Sequence, residues 1–317
     1  MSTLTPLRAL APAKVNLGLF LGPRRESDGR HELATVMQSI SLADELVLEA
    51  APGEQLDDEV LCPGVPGDEN LAARALREFR ARTGWQAPPL RLTIDKRIPL
   101  AAGLGGGSAD AAAALRLARA ASGLGDEATL LAIAEGLGAD VPAQVSPGRW
   151  LAGGAGERLV RLPSPRLAFG LLVLPAGFGL STAEVYAEAD RLGLVRERKA
   201  VALLHEELGA ALAQGAPLPS ATELLHNDLQ RAAVSLRPEI AEALRTAVAA
   251  GGDPALLSGS GPTVIGLFAK AGDQGLALAR VAEAGLDGLA PPPVAAVPVE
   301  AAFGEPQALD SEPQALS

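Results

Sequence analysis

The sequence predicts an α+β protein of two domains. Three observations carry that prediction: strand-like and helix-like segments are mixed without a regular strand–helix alternation, 317 residues exceed what one ordinary domain takes, and glycine and proline cluster near the middle of the chain.

Lys14 to Leu21, Glu32 to Leu42 and Glu45 to Glu49 are rich in Val, Ile and Leu and are separated by polar stretches, which predicts three antiparallel strands. Asn70 to Arg82 sets Leu71, Ala75 and Phe79 at helical spacing and stops at Gly84, so a helix is expected there. Leu90 to Lys96 returns to alternation. Beyond Pro99 lies a glycine cluster, then an alanine-rich helix from Ser108 to about Ala121 and another near Asp126 to Gly136. Leu151 to Gly156 reads as a turn, and with Pro163 and Pro165 close behind it the domain boundary is placed there, giving residues 1–163 and 164–303. The second half is expected to hold a strand from Leu167 to Leu174 and helices near Ala183–Leu192, Val201–Leu212, Pro238–Ala249 and Asp273–Gly285. Strands at Leu256–Leu257 and Thr263–Phe268 flank a Ser258-Gly259-Ser260-Gly261-Pro262 turn, and Val294 to Val299 closes as a strand. Residues 304–317, which repeat EPQAL, are expected to be a disordered tail.

The net charge of −11 repels phosphate backbones, and one Tyr, two Trp and six Phe offer little for base stacking. Nucleic acid is not an expected partner; a small molecule is. The apolar runs fall short of the roughly 20 residues a membrane helix needs, so no membrane association is expected. Cys62 is the single cysteine and the three His are widely spaced, which excludes a disulfide framework and a multi-thiolate zinc site and fits a reducing cytoplasm. Oligomeric state and metal ligands are not legible in the sequence.

The most informative stretch is Gly103-Leu104-Gly105-Gly106-Gly107-Ser108, between a strand and a helix. Glycine supplies positive φ and lets backbone N–H groups approach an anion, and the positive end of the following helix favours phosphate. Ser108 stands where its oxygen can cap the helix or touch a phosphate. A Walker A loop needs Lys at position 108, and the dinucleotide fingerprint needs Gly there; Ser108 breaks both. A phosphate cradle is favoured over a merely flexible turn, because so many glycines cost chain entropy unless something must approach the backbone.

Further blocks share a pattern with this loop. Ala11-Pro12-Ala13-Lys14-Val15-Asn16-Leu17, the stretch from Pro99 to Ala112, Gly138-Ala139-Asp140-Val141-Pro142 and Leu257-Ser258-Gly259-Ser260-Gly261-Pro262 resemble, in order and spacing, the GHMP small-molecule kinases. Asp28-Gly29-Arg30-His31, Ser181 to Tyr186 and His226-Asn227-Asp228-Leu229 bring the likeness closest to the branch acting on diphosphocytidyl-methylerythritol. The resemblance implies a ribosomal protein S5 domain 2-like N-terminal domain, a ferredoxin-like C-terminal domain and an active site in the cleft between them. It also implies transfer of the ATP γ-phosphoryl group to the 2-hydroxyl of the cytidyl diphosphate ester of methylerythritol, in non-mevalonate isoprenoid synthesis, with Mg²⁺ offsetting phosphate charge.

Within that resemblance Asp140 matches the catalytic base and Lys14 its cationic partner; their alternatives are a helix cap and a surface strand lysine. Asn16 shares the face of Lys14 and is assigned to the methylerythritol part. His31 is assigned to the cytosine edge and Tyr186 to one face of the ring, with a core filler as the alternative for Tyr186. The family usually has Tyr immediately before the His; here Arg30 stands there, and its planar guanidinium can also stack. Asn70, Leu71 and Lys96 match the adenine pocket, and Thr182 a substrate-side position, each with a helix cap or strand surface as the alternative. Pro99 is assigned to ATP binding, and Gly103, Leu104, Gly105, Gly106, Gly107 and Ser108 to the ATP phosphates. The competing functions are another GHMP kinase, acting on homoserine, mevalonate or a sugar, and a non-catalytic nucleotide-binding module on the same fold.

Overall fold

The computed structural model describes residues 4–309 apart from 54, 68, 168, 219–221 and 270–272. Its first sheet has seven strands and grows from a long hairpin, β1 (Leu7–Arg24) with β2 (His31–Ala50). The C-terminal half of β2 pairs with β4 (Leu90–Asp95), which carries β3 (Glu59–Leu61) on its far side. The N-terminal half of β2 pairs instead with β5 (Arg149–Gly153), followed by β6 (Arg158–Arg161).

The expectation of two strands at Glu32–Leu42 and Glu45–Glu49 is corrected, because β2 runs through both. Asp44 looks like a break in sequence, yet its buried carboxylate accepts from Lys96 Nζ at 2.5 Å and from the backbone N–H of Arg97 and Ile98 at 2.6 and 2.7 Å. A buried charge satisfied in this way need not end a strand.

One face of this sheet is covered by α1 (Leu71–Thr83), α2 (Gly106–Ser122) and α3 (Glu127–Leu137). The Asn70 side chain caps α1 through Ala72 N–H at 2.8 Å, and Gly84 ends it with a left-handed φ of 70°. Helix α2 buries a run of alanines from Ala111 to Ala114, whose small side chains let it sit close to the hairpin and to α1. The five-residue α4 (Val141–Val145) has Pro142 in its first turn, where the missing N–H has no intrahelical role.

The second sheet has four antiparallel strands in the order β10 (Val294–Ala296), β7 (Gly170–Leu174), β9 (Val264–Phe268), β8 (Ala255–Leu257). Helices α5 (Thr182–Arg191), α7 (Gln230–Leu236), α8 (Glu239–Ala249) and α9 (Asp273–Gly285) lie with it. Val15 and Phe20 of β1, Leu171 of β7, Ile265 of β9 and Leu208 of α6 (Arg198–Leu212) belong to one continuous apolar core, so the two sheets share an interior. No helix among the described residues is long and apolar enough to cross a membrane.

Two further expectations are corrected. Leu151 to Gly153 belong to β5, with the turn confined to the four residues 154–157 that follow. The beginning of the expected disordered tail is structured: Gln307–Ala308 (β11) pairs with the edge of β1, whose backbone groups at Leu7 and Arg8 would otherwise be unpaired on that side. Residues 310–317 lie outside the described part. α7 and β3, short and without a clear period, are not legible in the sequence.

Candidate active site

A cleft of about 550 Å³ opens between the first sheet and the second, lined by residues of β1 and β2, the glycine loop, Asp140, α5 and the Gly259–Ser260 turn. Its centre is an ordered polar chain. Lys14 Nζ lies 3.4 Å from Asp140 Oδ2 and donates to Asn16 Oδ1 at 2.9 Å. Asn16 Nδ2 donates to Thr35 Oγ1 at 2.8 Å, and Thr35 Oγ1 donates to Gly18 O at 2.6 Å, which fixes the direction of the chain.

Lys14 is 8% exposed, so it is not a surface strand lysine. Its charge is tolerated because Asn16 Oδ1 and the Asp140 carboxylate lie within reach of its ammonium. Asp140 occupies the N-cap position of α4 but makes no capping hydrogen bond, which leaves its carboxylate directed to Lys14 and open to the cleft. That removes the helix cap as an account of this side chain.

The glycine loop is shaped around the same lysine. Lys14 N–H donates to Leu104 O at 2.9 Å, and a Cβ on Gly105, where φ is +68°, would stand 3.0 Å from Lys14 Cγ. Only glycine fits here without strain. Gly105 is the N-cap of α2 and provides no side-chain cap, so the first N–H groups of the helix stay available at the cleft end. Ser108 does not cap α2 and instead lines the cleft, as do Gly103 and Gly105.

The expected adenine residues gather on the other side of the loop, away from the residues lining the cleft. Leu71 Cδ1 would be 3.8 Å from a Cβ on Gly107, and Lys96 Nζ 3.3 Å from one on Gly106. Asn70 is buried as the cap of α1, and Pro99 is half-buried at the head of the loop. Lys96 is pinned between two carboxylates, Asp44 and Asp110, the latter at 2.8 Å. Burial pushes the Asp110 carboxyl up to about 7; Lys96 opposes that rise and the Asp44 charge adds to it. The sequence reading missed Asp44 and Asp110 as the partners of Lys96, and no local pattern marks either one.

At the far end of the cleft His31 is buried. Its Nδ1 lies 2.8 Å from Gly22 O and therefore carries a hydrogen, and its Nε2 lies 3.2 Å from Asp190 Oδ1. Both ring nitrogens thus have partners within the protein. Asp190 also accepts from Arg24 Nη2 at 2.6 Å, a role the sequence reading did not assign. The Tyr186 ring is 5.5 Å from the His31 ring, and its hydroxyl is pushed up to about 12 by burial and then by the charge of Asp140. Arg30 reaches across the cleft mouth to Ala155 O at 2.7 Å. Thr182 Oγ1 lies 2.9 Å from Ser260 Oγ, which ties α5 to the second glycine turn.

The chain matches the family model described as GHMP kinases N terminal domain over residues 70–148 and that described as GHMP kinases C terminal over residues 199–287. A protein of Mycolicibacterium gilvum named 4-diphosphocytidyl-2-C-methyl-D-erythritol kinase is 43% identical over 268 residues, covering 82% of this chain and 81% of that protein. One of the same name from Nocardia farcinica is 42% identical, covering 89% and 91%. A crystal structure of 4-(cytidine 5'-diphospho)-2C-methyl-D-erythritol kinase superposes with a TM-score of 0.72 at 36% identity, over 92% of this chain and 98% of that one. Homoserine kinase from Cytophaga hutchinsonii, at 16% identity and a TM-score of 0.67 over 98% and 99% of the two chains, shares the fold. The chain belongs to the GHMP kinase family and, within it, to the 4-diphosphocytidyl-2-C-methyl-D-erythritol kinases.

Proposed function

We propose that this chain transfers the γ-phosphoryl group of ATP to the 2-hydroxyl of 4-diphosphocytidyl-2-C-methyl-D-erythritol, with Asp140 as the base and Lys14 as its partner. The observation that carries the residue roles is the 3.4 Å pair of Lys14 and Asp140, set beside the glycine loop in a cleft. Phosphoryl transfer needs two partners held in line, charge stabilisation and a group to accept the hydroxyl proton. Asp140 accepts that proton; Lys14 faces the developing charge; Asn16 orients the methylerythritol hydroxyls. The glycines from Gly103 to Gly107, with Leu104, Pro99 and Ser108, hold the phosphates, and Asn70, Leu71 and Lys96 border the adenine. Tyr186 and Arg30 flank the cytosine ring, His31 reads its edge as the Asp190 contact to Nε2 gives way to the base, and Thr182 lies on the substrate side.

Magnesium belongs to this reading; when bound, it offsets charge on the β- and γ-phosphates. The cleft offers the Ser108 hydroxyl and the Asp140 carboxylate. Such an ion keeps several waters and takes only one or two protein oxygens beside the phosphates. We assign residues 1–163 and 164–303 as the two domains flanking the cleft, and the cytoplasm, where ATP is supplied, as the compartment.

The test is ADP release with ATP, magnesium and 4-diphosphocytidyl-methylerythritol, beside an acceptor lacking the cytidyl group. Turnover with the full acceptor and its loss with the truncated one are the expected results. No ADP release with the full acceptor, while ATP still binds, would overturn the assignment.

A further inference from the structure

The His226-Asn227-Asp228 motif lies outside the cleft lining, yet it is built into the two elements that form the catalytic centre. Its backbone joins β1: Leu19 N–H donates to His226 O at 2.8 Å and Asp228 N–H to Leu19 O at 3.0 Å. The Asp228 carboxylate secures that join by accepting from Leu21 N–H at 2.8 Å and from two nitrogens of Arg196, each at 2.7 Å. Burial would raise this carboxyl, and the hydrogen bonds from His226, Arg196 and Leu21 outweigh burial and hold it below the ordinary range.

Asn227 faces the other way. Its amide donates to Leu257 O at 2.8 Å and Gly259 O at 2.7 Å, while Oδ1 accepts from Leu229 N–H at 2.9 Å. It is 4% exposed and uses both amide hydrogens on the backbone of the second glycine turn. That turn is what Lys14 and Asn16 rest against. A Cβ on Gly259 would stand 3.2 Å from Asn16 Oδ1 and 3.6 Å from Lys14 Nζ, and one on Gly103 would collide with Gly261 O. The turn therefore sets the back wall of Lys14 and Asn16 and also touches the phosphate loop.

We infer that Asn227 is a positioning residue for phosphoryl transfer, a strut that fixes the Ser258–Gly261 turn at the height where it holds Lys14, Asn16 and Gly103 in register. This inference rests on the kinase reading above. A shift of the turn moves the ammonium relative to Asp140 without removing any group that binds ATP or the acceptor, so it acts on the rate of transfer more than on binding.

The discriminating variant is Asn227→Asp, which keeps the shape and the acceptor for Leu229 N–H but faces two carbonyl oxygens with a carboxylate. Expected is a fall in kcat of about 30-fold with both KM values changed by less than about threefold, together with faster hydrogen exchange in peptides spanning 255–263 and 100–108 and none in β6. Gly259→Ala, which presses on Lys14 and Asn16 from the turn itself, should lower kcat in the same way. A variant of Asn227 that keeps native kcat, or exchange that leaves the 100–108 peptide unchanged, would overturn the strut. If the native chain released no ADP, the kinase reading would fall, and the exchange comparison would still decide whether Asn227 couples the turn to the phosphate loop.

Discussion

Lys14 and Asp140 stand 3.4 Å apart although each is held by a different part of the molecule. Lys14 is fixed by β1, by Asn16 and by the glycine loop, whereas Asp140 sits on the short link between α3 and α4. A rigid cation thus faces a carboxylate that is 37% exposed and open to an incoming hydroxyl.

Asp140→Asn keeps the shape and removes the proton acceptor of the proposed mechanism. The expected outcome is a loss of kcat of about 10²-fold or more, the usual scale for a general base, with ATP affinity within a few fold of native. Single-turnover kinetics and nucleotide titration check the two parts separately.

Gly105→Ala tests the fit of loop to lysine. Its methyl would press on the Lys14 stem at a φ of +68°, so a stability loss of about 1 kcal/mol is expected from the backbone alone, together with slower phosphoryl transfer. Urea denaturation measures the first and steady-state kcat the second. An alanine variant with native stability and rate would overturn this account of the loop.

Asp110 gives the fold a pH dependence near neutrality. Its carboxyl is raised to about 7 in the fold against 3.8 ordinarily, so the folded state holds a proton that the unfolded chain releases earlier. The stabilisation is complete below the ordinary value and is lost as pH rises through about 7. Asp110→Asn should therefore flatten the fall in stability between pH 5 and 8, roughly that interval, read from urea midpoints. A slope identical to native would overturn this account of Asp110.

Tyr186→Ala should raise KM for the cytidyl-bearing acceptor by about 10-fold or more, the scale of one base stacked on an aromatic ring, and leave KM for ATP unchanged. Tyr186→Phe should keep most of the affinity, because the proposed stacking uses the ring face and not the hydroxyl. Initial rates against each substrate in turn separate these outcomes.

The family pattern, the glycine loop and most helices are legible in residue order alone. Helix α1 is legible because its cap at Asn70, its apolar spacing and its stop at Gly84 are local. The glycine run is legible because positive φ and close backbone approach select one residue type. The likeness to the kinases also named Lys14 and Asp140, residues that meet in the cleft. How buried charges are satisfied emerges only in the folded chain. Asp44 reads as a strand break, yet β2 continues because Lys96 and two backbone N–H groups arrive from another strand's end. The local sequence around His31 does not mark the partners of its ring, and the fold brings Gly22 O and Asp190 to its two nitrogens. Asn227 belongs to a block of the family pattern, but its partners are visible only once β1 and the second glycine turn meet on either side of it. Capping, periodicity and glycine conformation act over a few residues and are written in sequence order, whereas the partner of a buried polar group is chosen by topology, which brings distant segments within hydrogen-bonding reach.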